Sequence, residues 1–222
     1  MRPALALLLV LAGPAWGGAW PRPPGETFLA LRFETDRPAE GEAANSFSAY
    51  GEYGVSARWT LVAKVSNSAQ PWTPSRAGIG LDYALSGPDA RNRFAIGLGV
   101  SFPPDPEGAM TGARGEVALH WGRGFESRWG GGWATASARL FYGADTARPI
   151  TDLSALIGLR PREGWMAMLA AGRYADDVGT YVKLTPSLGY ELRPKLWLVP
   201  HAMWELSDDR SVGVGVSVWW SF

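Results

Sequence analysis

The 222-residue chain has no cysteine, only two histidines and no surplus of either charge, with 21 Lys+Arg against 21 Asp+Glu. Without cysteine there is no disulfide framework, no thiol nucleophile and no thiolate zinc site. His120 and His201 are too few for a histidine-rich metal centre, so neither a metal nor a cofactor is expected. Balanced charge removes the basic excess that a phosphate backbone demands, and nucleic acid is not an expected partner. Long apolar runs are missing too. The longest, Ala4 to Ala12, has nine residues, against the roughly 20 that a spanning helix takes. Past residue 25 no window carries an i, i+3, i+4, i+7 apolar stripe free of Gly and Pro, so amphipathic helices are absent from the reading.

The chain does begin with an address. Met1-Arg2-Pro3 is a short basic start, the apolar run follows it, and Gly17-Gly18-Ala19 offers a small-x-small cleavage site. That is the layout of a secretory signal peptide. Residues 1–19 are therefore expected to be removed, leaving one domain, 20–222, that starts near Trp20.

Beyond residue 25 apolar and small or polar residues alternate with period two, the mark of strands with two unlike faces. Leu29, Leu31 and Phe33 oppose Ala30, Arg32 and Glu34; Phe94, Ile96, Leu98 and Val100 oppose Arg93, Ala95, Gly97 and Gly99. The last segment sets Val212, Val214, Val216, Val218, Trp220 and Phe222 against Ser211, Gly213, Gly215, Ser217 and Ser221. Twelve such segments start near residues 27, 46, 58, 77, 92, 114, 132, 151, 164, 179, 195 and 211. Phase is least defined at 46, 132 and 164: Arg139 and Met166 face inward only if Trp133 does too, or if a bulge resets the register. Tight connections (Val55 to Ala57, Pro161 to Glu163, Arg193-Pro194) alternate with longer ones rich in Pro and charge (Asp36 to Ala44, Asn67 to Arg76, Pro103 to Ala113). Gly122 to Gly131 reads as a long connection on the short side, and nothing in the sequence accounts for it.

A soluble sandwich and a transmembrane barrel both produce this alternation. Three features favour the barrel. The segments hold about nine to eleven residues, enough for a tilted strand to cross the hydrocarbon layer. Short and long connections fall on opposite sides. Aromatic residues collect at strand ends, where an amphipathic ring gains from apolar burial while its polar atom meets headgroup water. Trp59, Trp133, Trp165 and Trp197 follow short-side turns, and Tyr53, Trp121, Tyr190, Trp220 and Phe222 end the strands arriving there. Phe47, Phe102, Tyr142, Tyr174 and Trp204 make a looser second belt.

With its leader and its final strand, Ser211 to Phe222, ending in an aromatic residue, the chain resembles the Gram-negative outer-membrane β-barrel proteins. The resemblance implies that this strand is read by the barrel-assembly machinery and that the outer face meets lipid and lipopolysaccharide. Ser217 stands where such endings often carry Gly. The turn Tyr53-Gly54-Val55-Ser56-Ala57-Arg58-Trp59 is also similar to the first periplasmic turn of predicted porin-like proteins of phenol-degradation operons. The fold expected is all-β, a closed antiparallel up-and-down transmembrane barrel of about 12 strands. Closure is required because an unpaired N–H or C=O in hydrocarbon costs several kcal/mol, and an even strand number leaves both termini in the periplasm.

The inner face then carries Arg32, Glu34, Glu52, Lys64, Asp82, Arg93, Glu116, His120, Arg139, Lys183, Glu191, His201 and Glu205. Charges there need water or a partner. Twelve strands lie between the eight that side chains fill and the sixteen that leave a channel. The expectation is a narrow polar lumen that passes a small solute, with balanced signs arguing against strong ion selectivity. The alternatives are a salt-bridged plug in a structural or adhesive barrel and, third, a lipid-modifying hydrolase. No catalytic residue is singled out, since neither His120 nor His201 is followed by the His-x-Ser arrangement of the barrel lipid hydrolases. Pro186 and Pro200, symmetric about the Arg193-Pro194 turn, point to a weak place in the wall, because proline gives no N–H to the ladder. Asp176-Asp177 and Asp208-Asp209 are placed on long-side loops.

Overall fold

A computed structural model describes residues 18–37, 42–67, 77–102, 112–144, 148–207 and 210–222. Period-two alternation becomes twelve strands: β1 Thr27–Arg37, β2 Ala44–Gly54, β3 Trp59–Ser66, β4 Ala77–Ala84, β5 Asn92–Phe102, β6 Arg114–Ser127, β7 Gly130–Gly143, β8 Ile150–Arg162, β9 Trp165–Ala175, β10 Thr180–Arg193, β11 Leu196–Glu205 and β12 Val212–Ser221. Each starts within two residues of the position expected for it. Every strand pairs antiparallel with its chain neighbours, and β12 closes onto β1 from Phe28–Ser221 to Arg37–Val212. No edge is left open, so every strand has a ladder partner on both sides. The leader expected over residues 1–19 lies outside the described residues except for Gly18 and Ala19.

Large aliphatic side chains cover the outside. Leu98 and Val214 are each 62% exposed, and Ile79, Leu119 and Leu188 are more than half exposed. A contiguous apolar band of this kind is foreign to a monomer in water and is the surface that acyl chains cover. Toward the short-turn end, outward aromatics meet in register: Trp59 with Tyr83 at 4.7 Å between ring centroids, and Trp165 with Tyr190 at 5.0 Å. Tyr53, Trp121, Trp220 and Phe222 point outward at the same end, and Trp204 at the other.

Three of the expected belt residues face the other way. Trp133, Trp197 and Tyr174 are buried inside the barrel. The reason is parity: Trp133 keeps the phase of Arg139 with no bulge between them, Trp197 that of His201, and Tyr174 that of Met166.

The segment 122–131 is not a long connection. Strands β6 and β7 run on past the neighbouring turns and join through Arg128-Trp129. Ser127 Oγ donates to the Gly130 carbonyl (2.8 Å) and accepts from the Trp129 amide (3.2 Å). Gly130 has φ +110°, and a Cβ there would lie 2.1 Å from the Arg160 carbonyl oxygen, so only glycine closes this hairpin.

Pro186 and Pro200 do not face one another. The β10–β11 ladder pairs Ser187 with His201, and its next pairs are Leu184–Trp204 and Tyr190–Leu198. By that register Pro186 lies across from Ala202 and Pro200 across from Leu188, a diagonal. On their other sides Pro186 remains paired with Leu169 and Pro200 with Val216, so the missing amides belong to the β10–β11 seam. At about 1 kcal/mol per absent ladder bond, amides from Thr185 to Gly189 are expected to exchange hydrogen at least about fivefold faster than those of the β6–β7 hairpin. Equal protection in the two places would show that the prolines leave no weak seam.

Candidate functional site: the barrel interior

The interior is layered. Nearest the short turns it is apolar: Phe28, Trp133, Met166, Met168, Trp197 and Trp219 form one buried cluster. Phe28 meets Trp219 edge-on at 6.3 Å. Two guanidiniums cap the layer, Arg22 4.5 Å over Phe28 and Arg160 5.4 Å over Trp133, where the ring faces attract the cations. Sequence reading missed this layer, although its signal was available: Phe28 shares parity with Arg32, Trp197 with His201, and Trp219 with Gly215.

The chain ahead of β1 enters this layer. Trp20 packs against the apolar cluster and occupies the space above Gly122, where a Cβ would lie 2.3 Å from its ring. Gly18 sits over His120, and Ala19 is buried. Arg22 donates its amide to Thr60 Oγ1 (3.0 Å) and its guanidinium pairs with Glu52, which also accepts from the Tyr50 hydroxyl at 2.6 Å.

Above the apolar layer lie the charges. Lys64 Nζ reaches Glu116 at 2.7 Å; Arg139 then stands 3.7 Å from Glu116 and 3.6 Å from Asp152. These four groups come from β3, β6, β7 and β8 and alternate in sign. Glu34 pairs with Arg32 and accepts from His201 Nε2 at 2.8 Å. His120 lies 2.8 Å from Ser137 Oγ and 3.7 Å from Asp82. Glu205 accepts from Ser207 and Ser211, at 2.5 and 3.0 Å. Arg93 and Glu191 belong to the rim instead: Arg93 holds the Pro88 carbonyl of the β4–β5 turn, and Glu191 accepts from the Lys195 amide at 3.0 Å. Asp176 closes an Asx turn through the Val178 and Gly179 amides, both at 2.9 Å; Asp208 and Asp209 lie outside the described residues.

Asp82, His120 and Ser137 stand in the order of a hydrolase triad. The Asp82–His120 separation of 3.7 Å is longer than a hydrogen bond. The strand amides beside Ser137 are engaged with β6 and β8, so none of these is free to act as an oxyanion donor.

Inward glycines carry the long side chains of adjacent strands. A Cβ on Gly78 would lie 2.6 Å from Lys64 Cε, one on Gly97 2.4 Å from Asp82 Oδ1, and one on Gly158 2.3 Å from the Trp133 ring. Because Gly78 is bare, Lys64 lies across β4 and reaches Glu116 on β6.

Toward the long-side loops the interior opens into a cavity of about 80 Å³ lined by Asp152, Tyr174, Tyr181, Lys183, Met203 and Glu205. Tyr174 and Tyr181 stack there, 6.2 Å apart and inclined by 29°. Among the described residues no cluster of His, Cys, Asp and Glu is arranged to hold a metal ion.

A closed twelve-stranded antiparallel barrel with polar groups inside and aliphatic groups outside is the fold of outer-membrane porins. Solved structures similar to this chain are the NanC porin (TM-score 0.65, 9% identity, 86% of this chain and 98% of that one) and the KdgM porin in complex with disordered oligogalacturonate (0.62, 9%, 87% and 99%). A third is the COG4313 outer membrane channel from Pseudomonas putida (0.56, 11%, 94% and 100%). No family model and no curated protein sequence matches the chain.

The glycine cradles generate a stability prediction. Gly158→Leu drives a side chain into Trp133 and is expected to destabilise the folded barrel by about 1–3 kcal/mol, as overpacking does. Gly87, with nothing within 4 Å of its would-be Cβ, is expected to accept alanine with a change of about 0.5 kcal/mol or less. Urea unfolding in lipid vesicles compares the two variants; equal midpoints would refute the cradle role.

Proposed function

We propose that the chain is a non-enzymatic channel of a Gram-negative outer membrane, passing a small solute by diffusion through a narrow lumen. The observation that carries the reading is the inner wall. Its charges pair from strand to strand, with Lys64, Glu116, Arg139 and Asp152 in one alternating row that ends at the cavity below the long-side loops, which Asp152 also lines. Matched signs leave a polar path without a strong single-sign field, so weak ion selectivity follows. Likeness of fold to the NanC and KdgM porins supports the reading.

The short-turn half is filled by the apolar layer, and Trp20 and Arg22 pack against it from inside. In this reading the segment from Trp20 to Arg22 sets the conductance, and the aromatic-ended β12 meets the barrel-assembly machinery before closing onto β1. Lipid and lipopolysaccharide cover the outer band. The long Asp82–His120 separation and the ladder-bound amides beside Ser137 are what argue against lipid hydrolysis.

Planar-bilayer recording of the purified protein tests the proposal. Wild type is expected to give small, discrete currents with weak selectivity, and the double variant Trp20→Gly with Arg22→Ala at least a twofold larger unit conductance. Persistent absence of current from both proteins would overturn the channel reading in favour of a plugged barrel.

A further inference from the structure

The seam between β10 and β11 is fastened at its ends and thinned at its middle. Toward the long-side loops the Leu206 amide donates to the Val182 carbonyl at 2.7 Å, and Ser207 Oγ accepts from the Val182 amide at 3.2 Å. Toward the short turns Tyr190–Leu198 and Arg193–Leu196 are paired. The Val182–Leu206 bond sets the phase of the ladder, so even-numbered residues of the two strands exchange its hydrogen bonds. Pro186–Ala202 and Leu188–Pro200 are therefore consecutive bonding sites, and each contains one proline. The Ala202 and Leu188 carbonyls receive no ladder amide, and two of the four bonds at these sites are gone. Among the described residues no side-chain hydrogen bond or ion pair crosses this stretch. His201, which stands in it, turns the other way to Glu34 on β1.

The interior on either side of the thinned stretch is largely apolar. Met166 and Met168 stand inward on β9, Val199 and Met203 on β11, and all four are buried. Between them β10 turns the small residues Thr185, Ser187 and Gly189 inward. Met166 lies over Gly189, where a Cβ would be 2.4 Å from its Cε. Unbranched thioether side chains of this kind repack readily. The strip runs from Met203, at the cavity under the long-side loops, to Met166 in the apolar layer. A molecule entering from those loops thus meets the filled short-turn half ahead of it and the thinned seam beside it. On the outer side of the seam Leu188, 55% exposed, faces the acyl chains.

We propose that the middle of the β10–β11 seam is a lateral port through which an apolar solute passes between the barrel interior and the acyl chains. The port rests on the outer-membrane placement and goes beyond the aqueous channel. A molecule leaving through the wall enters hydrocarbon, and only an apolar one gains by that transfer. The probe is N-phenyl-1-naphthylamine, an uncharged dye that fluoresces in hydrocarbon and is held back by a lipopolysaccharide leaflet. Gram-negative host cells carrying the full chain are expected to take it up faster than cells without it. Ser187→Cys with His201→Cys joins a directly opposed pair by a disulfide, in a chain with no other thiol. Oxidised, this double variant is expected to fall to the uptake of cells without the protein, and reduction is expected to restore it. Pro186→Val with Pro200→Val returns both amides. Since one ladder bond is worth about fivefold in an opening equilibrium, uptake is expected to drop by at least about fivefold. Heat-modifiable migration on gels verifies that each variant is folded. Wild-type uptake no faster than in cells without the protein would overturn the port. So would equal rates in the oxidised and reduced double variant, or unchanged uptake in the proline double variant. Absence of ionic current alongside disulfide-sensitive dye uptake would sink the channel reading and leave the port standing.

Discussion

Hydrocarbon offers no partner for a peptide N–H or C=O, and everything else in this barrel follows from that. Closure of β12 onto β1 removes the two edges that an open sheet would present, each a row of groups costing several kcal/mol apiece in lipid. Once the circle is closed, the pleat sends successive side chains alternately to lipid and to the interior. The same constraint makes the β10–β11 seam notable. Pro186 and Pro200 both withhold an amide from one ladder, next to the pair Ser187–His201.

The interior solves a different problem, that of holding charges and large rings in a space twelve strands wide. It does so by pairing size with absence: Gly78 under Lys64, Gly97 under Asp82, Gly158 under Trp133. These glycines are not turn formers. They let long side chains lie flat along the wall and reach partners two or three strands away, as Lys64 does with Glu116. The interior is consequently stratified rather than uniformly polar, with a ring-rich layer near the short turns, charge pairs above it and a cavity under the long loops. Residues ahead of β1 become part of the wall filling, since Trp20 occupies space that Gly122 leaves free.

Much of this was legible in the sequence. Strict alternation in β5 and β12 fixed strand type and inner face, and the run of turns gave the strand count. What failed was the use of aromatic residues as depth markers. Position near a strand end was read as belt membership for Trp133, Trp197 and Tyr174, yet side-chain parity, which the pleat enforces, sends all three inward. Parity counted from Arg139 and His201 would have placed Trp133 and Trp197, whereas Tyr174 follows Met166, whose own facing was undecided. The 122–131 stretch was misread because glycines suggest a loop, whereas here they continue β6 and β7 to a tight hairpin. The pairing of charges was not legible at all. Which carboxylate meets Lys64 depends on register between strands far apart in the chain.

The account rests on the aliphatic outer band facing acyl chains, and the chain's lack of cysteine makes a direct test simple. Single substitutions Leu81→Cys, Leu98→Cys and Leu119→Cys carry a nitroxide on adjoining outer positions of β4, β5 and β6, with Val178→Cys in the β9–β10 connection as the aqueous reference. In lipid bilayers the three outer labels should collide readily with dissolved oxygen and be shielded from a water-soluble nickel chelate, while the reference label shows the reverse. Outer labels reached by the chelate as readily as the reference would mean that this surface faces water, and the membrane barrel would be the wrong description.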